Sequence, residues 1–126
     1  MAHVLVYYPD RAIRQLVSEM CEIEGHNVTR VDTLDDALMV LRASLHRIVA
    51  ILDWDHDWQH PYRDFFALRD ANPDWYAQHG YIGLRWRPLT EEDEAVLAAD
   101  GVRIFRGPFM AEDLLRAVAE LAAGSS

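Results

Sequence analysis

"VAILDWDHDW", residues 49–58, opens on four apolar residues and then meets aspartates at the alternate positions 53, 55 and 57. The apolar part is short and partly β-branched. It reads as a buried strand that ends at Asp53. A carboxylate at the mouth of a buried strand, with Asp55 and Asp57 close behind, costs repulsion unless a cation, an arginine or water offsets it. Three chemistries fit such a stretch: a metal site, an aspartate nucleophile, or a solvated acidic loop.

On either side of this strand the sequence alternates between two periodicities. "HVLVYY" (3–8) reads as a strand, and Asp10 is placed to cap the helix after it. Ile13, Leu16, Val17 and Met20 recur at helical spacing, and Gly25 supplies a stop. "NVTRVD" (27–32) is a second strand. Thr33 caps a helix whose apolar stripe is Leu34, Ala37, Leu38, Leu41 and Leu45. "RIVAIL" (47–52) is the third strand, followed by a loop and a helix near 63–72 that "NPD" (72–74) closes. "YIGLRW" (81–86) is the fourth strand, and Thr90 before "EEDE" caps a helix ending at Gly101. "VRIFR" (102–106) is the fifth. A last helix, about 110–122, carries Leu114, Val118 and Leu121 on one face.

Five strand–helix units imply an α/β fold with a parallel sheet covered on both faces. They are too few for a closed eight-fold barrel, so a doubly wound, flavodoxin-like open sheet of order 2-1-3-4-5 remains. Residues 1–122 form the domain and 123–126 a short tail. Sites in such sheets lie at the carboxyl ends of the strands. Reading those ends places Asp53 in a crevice with Asp10 on one side and arginines on the other.

Composition narrows the classes of function. The chain has 126 residues and a net charge of −9, which argues against nucleic acid or an anionic membrane as the main partner. No apolar run is long enough to span a bilayer and no signal peptide is visible. The one cysteine, Cys21, fits a reducing cytoplasm and reads as a small buried residue. All 12 basic residues are arginine; there is no lysine.

These residues, in this order, resemble the receiver domain of two-component response regulators over nearly the whole chain. "VAILDWD" matches the family's third strand, which ends in the phospho-accepting aspartate and falls on Asp53. "RGPF" (106–109), with Pro108, resembles the corner after strand five, and "LRDANPD" (68–74) the end of the third helix. The resemblance implies an acceptor carboxylate that attacks a phosphoryl group while Mg²⁺ neutralises developing charge. The two acidic positions that hold the metal fall on Tyr8 and Pro9. The hydroxyl residue after strand four falls on Arg85, the lysine on Gly107, and the switch aromatic on Ile104. Asp10 comes one residue late and reads as a helix cap. With the acidic pair gone, little here would hold Mg²⁺.

The implied reading is an atypical or pseudo-receiver. It would be no enzyme and hold no resident cofactor, catalytic residue or metal ligand. It would act through a protein partner, a sensor kinase or a downstream regulator, on the face formed by about 90–122. Arg85 is expected to turn toward Asp53 and fill the space a phosphoryl group would use. One alternative is an active receiver phosphorylated on Asp53, with weak Mg²⁺ held by Asp10 or Asp55. Another is a small phosphatase using Asp53 and Asp55 in a D-x-D arrangement. Asp55 and Asp57 with His56 and His60 lack a clear ligand spacing and read as solvated. Trp54, Trp58, Tyr62, Trp75, Tyr76 and Trp86 read mostly as cover for the sheet edge. Arg85, Arg87 and Arg106 are candidates for an anion pocket or for pairing with the excess acids.

Overall fold

The structure, a computed structural model, describes residues 2–54, 66, 69–71, 73–86, 88 and 90–124. Its elements run β1 (His3–Tyr7), α1 (Arg11–Ile23), β2 (Asn27–Val31), α2 (Leu34–Ala43), β3 (Ile48–Asp53), α3 (Pro73–Gln78), β4 (Gly80–Arg85), α4 (Glu91–Ala99), β5 (Val102–Arg106) and α5 (Ala111–Ala122). The five strands form one parallel sheet in the order β2-β1-β3-β4-β5. This is the doubly wound topology expected from the alternation of periodicities.

Every residue of β3 is buried, because helices cover both of its faces. On one face Leu5, Ala50 and Leu52 pack with Ala37, Leu38 and Leu41 of α2, Trp75 of α3 and Leu97 of α4. On the other, Val4, Val6, Val49 and Ile51 pack with Val17 and Cys21 of α1 and with Leu114, Val118 and Leu121 of α5. The strict alternation along β1 and β3 is the pleat seen in the sequence.

Local signals fix the helix ends. Asp10, Thr33 and Thr90 each accept a backbone N–H three residues on, at 3.1 Å, from Ile13, Asp36 and Asp93. Gly25 and Gly101 end α1 and α4 with φ of 88° and 77°, a region costly for any residue with a Cβ.

Some sequence expectations fail, each for a visible reason. Beyond the helical residues 66 and 69–71, "NPD" (72–74) is more than a stop: Pro73 opens α3, where a missing N–H costs nothing and its fixed φ suits the first turn. Leu45 is not part of the α2 stripe, because α2 ends at Ala43 and Leu45 is 92% exposed. The buried line of α1 is Val17, Ser18 and Cys21, and Leu16 faces solvent. Ser18 is accommodated because its hydroxyl donates to the Arg14 carbonyl at 2.6 Å. Trp75 is core, and Tyr76 stacks on Tyr81 at the start of β4, centroids 4.3 Å apart, so neither lies at the carboxyl end of the sheet. Asp55, His56, Asp57, Trp58, His60, Tyr62 and Arg87 lie outside the described residues.

His79, between α3 and β4, ties three elements together at the opposite end of the sheet. Its ring is buried; Nδ1 accepts the Ile48 N–H at 2.9 Å and Nε2 lies 2.8 Å from the Leu41 carbonyl. An Nδ1 that accepts leaves the proton on Nε2, so the ring is neutral. Burial, with a smaller push from Arg47, lowers its pKa below the ordinary 6.5, against the opposing pull of the Leu41 carbonyl. The unfolded chain therefore takes up a proton at a pH where the fold does not. Stability from this residue is complete above about pH 6.5 and falls as the pH drops below it. Chemical denaturation between about pH 7.5 and pH 5.5 should show a decline that His79→Gln largely removes. An equal decline in both proteins would contradict this role.

Candidate functional site

At the carboxyl ends of β1, β3, β4 and β5 the chain brings together Tyr8, Asp53, Arg85, Trp86 and Gly107. Asp53 is the last residue of β3, in register with Leu84 of β4, and is 5% exposed. Its negative charge is felt next door: the Tyr7 phenol is pushed up, first by burial and then by Asp53. The strand-three carboxylate thus lies where the sequence placed it.

The positions around it carry different chemistry. Tyr8 continues the inward face of Val4 and Val6 and is buried in that core. It brings a ring where the resemblance calls for a carboxylate. Pro9 brings none either. Asp10 is turned to the α1 N-terminus, where its Oδ1 accepts the Ile13 N–H. Among the described residues no group of three or more His, Cys, Asp or Glu side chains is arranged to hold a metal ion.

Arg85 reaches from β4 across to β3. Its Nη1 donates to the Trp54 carbonyl at 2.5 Å and its Nη2 to the Pro88 carbonyl at 3.5 Å. Trp54 is fully buried on the face of Leu52, with its N–H donating to Leu84 at 2.9 Å. Gly83 makes room for it: a Cβ there would lie 3.1 Å from the Trp54 ring and 2.7 Å from Ile104 Cδ1. Ile104 therefore points into the Trp54 core, and the strand-five aromatic, Phe105, packs on the opposite face.

The decisive contact lies at Gly107. A Cβ on this residue would sit 2.4 Å from Cε2 and Nε1 of the Trp86 indole. Overlap that severe means the ring already occupies the start of any side chain at position 107. Trp86 is held there by an edge-on contact with Tyr8 (6.2 Å, 79°) and a tilted one with Phe109 (5.5 Å, 58°). The Gly107 N–H donates to the Arg85 carbonyl at 2.7 Å, and the Gly107–Pro108 bond is cis. Sequence reading turns Arg85 toward Asp53, and in the structure Arg85 reaches the end of β3 beside it; Trp86, read as edge cover, sits over Gly107. The signal that points to Trp86 is the glycine itself, since a lost side chain after β5 leaves room for a large one after β4. Arg106 is paired in register with Arg85 and is exposed.

No protein-family model and no curated protein matches this chain. Solved structures do. The receiver domain of the Francisella response regulator 1452 superposes with a TM-score of 0.79 at 21% identity over 98% of both chains. The chemotaxis response regulator CheY4 of Vibrio cholerae gives 0.75 at 23% identity, covering 96% of this chain and 98% of its own. A putative pilus assembly-related protein from Burkholderia pseudomallei gives 0.75 at 16% identity, over 100% of this chain and 92% of that one. With the strand order, the two-sided core and Asp53 at the end of β3, this likeness assigns the chain the fold of a response regulator receiver domain.

Proposed function

We propose that this chain is a receiver-fold signalling module that works through protein–protein contact, with phosphoryl chemistry at Asp53 lost or weakened. The observation that carries the reading is the Trp86 indole lying in the space of a side chain at Gly107. In the receiver reading a lysine there would pair with the phosphoryl group. Here the position has neither the cation nor the room for one. The supporting losses are of one kind. Tyr8 and Pro9 supply no carboxylate for Mg²⁺, and Asp10 serves α1. A phosphoryl group on Asp53 would bring negative charge into a buried site, with no acidic pair after β1 to hold a divalent cation.

On this reading the protein is no enzyme and needs no resident cofactor. Its partner is a sensor kinase or a downstream regulator. The face formed by α4, β5 and α5 is the contact surface that the fold suggests. Acidic residues 91–94 open α4, and Val96 on the same helix is 46% exposed. Such a mixed acidic and apolar surface suits a protein partner with basic and apolar groups. Among the described residues no helix is long and apolar enough to cross a membrane.

Two measurements test the proposal. Intact mass after incubation with a small phosphodonor and Mg²⁺ should show no phosphoryl adduct. A stoichiometric adduct on Asp53 would make the chain an active receiver and overturn the reading. The second concerns the plug itself. Gly107 has no positive φ, so an alanine there suffers only from crowding. Gly107→Ala should destabilise the wild type by about 1–3 kcal/mol. In a Trp86→Ala background the same change should be nearly neutral, which gives a positive coupling in a double-mutant cycle. Additive effects would place the indole elsewhere in solution.

A further inference from the structure

The residue after Asp53 is gripped by main chain and by core. The Trp54 N–H donates to the Leu84 carbonyl at 2.9 Å, and the Trp54 carbonyl accepts from Arg85 Nη1 at 2.5 Å. Its ring is fully buried in the core that also holds Leu97 of α4 and Val102 of β5, with Ile104 of β5 packed against it. Gly83 of β4 is the centre of this packing. A Cβ there would lie 3.1 Å from Trp54 Cε3 and 2.7 Å from Ile104 Cδ1. The indole from the end of β3 and the methyl from β5 thus close over one glycine of β4, the strand between them.

This packing joins the crevice to the outer elements. Asp53 cannot shift along its strand without carrying Trp54 with it. Trp54 cannot shift without displacing Ile104 and Leu97, which belong to β5 and α4. Close-packed groups move between discrete arrangements and do not deform continuously. A second arrangement needs somewhere for the ring or the methyl to go. Gly83 has already given up its side chain to seat the first one.

We propose that Trp54 is a fixed strut that holds β5 and α4 in one arrangement relative to the Asp53 end of β3. Arg85 is the positioning residue that grips it. The inference rests on reading the face formed by α4, β5 and α5 as the contact surface, and it names what keeps that surface in a single state.

The test is NMR relaxation dispersion on the full chain with ¹³C-labelled isoleucine, leucine and valine methyls, which reads microsecond-to-millisecond exchange. In the wild type the Ile104 δ1 and Leu97 methyls should give flat profiles. Arg85→Met keeps the apolar stem and removes the donor to the Trp54 carbonyl. Trp54→Phe shrinks the ring without emptying its slot. In each variant Ile104 and Leu97 should gain an exchange contribution, while Val4 and Val118 of the opposite core stay flat. A loss of general stability would instead broaden both cores alike. The phosphodonor assay reads Asp53 separately: an adduct would end the reading of lost chemistry, and these profiles would still decide the strut. Exchange at Ile104 already present in the wild type, a flat Ile104 profile in either variant, or equal broadening of both cores would overturn the proposal.

Discussion

The structure depends on the complete burial of β3. A strand with helices on both faces has no solvated side, so its residues must be apolar throughout, and Val49–Leu52 are. That requirement seats α2, α3 and α4 against one face and α1 and α5 against the other. It also fixes where the first charge falls. Asp53 is the point at which the strand leaves the core, and a parallel sheet gathers the ends of β1, β4 and β5 around that point.

What the crevice can do follows from volume more than from charge. The loss of a side chain at Gly107 and the presence of a large one at Trp86 are two halves of one packing solution. Tyr8 and Phe109 complete it by holding the indole from two sides. On the reading proposed above, a buried carboxylate with no acidic pair after β1 is a poor place to build a phosphoryl dianion. On that reading the receiver fold serves as a fixed surface whose contact face acts without a chemical switch.

Much of this was legible in the sequence. The order of strands, the helix caps at Asp10, Thr33 and Thr90, and the stops at Gly25 and Gly101 depend on local chemistry, and local chemistry is written residue by residue. The buried β3 and Asp53 at its end were legible because a two-sided strand leaves an unbroken apolar run. Other features depend on contacts between distant segments. Pro73 can stop one segment and start another by the same rules, and the second helix that opens there became visible only with Trp75 packed in the core. Leu16 and Leu45 obey helical spacing but fall beyond what the sheet covers. Trp86 was visible as an aromatic near the crevice. Its seat over Gly107 needed the β4–β5 register, which pairs Arg85 with Arg106 and so sets the two following residues side by side.

The central claim is that the Trp86 indole occupies the side-chain space at Gly107 in solution and stays there. Nuclear Overhauser effects between the Trp86 ring protons and the Gly107 Hα measure it directly, with and without Mg²⁺ and beryllofluoride as a phosphoryl mimic. The account predicts strong effects that the mimic leaves unchanged. Their absence in the free protein, or their disappearance as beryllofluoride binds at Asp53, would contradict it.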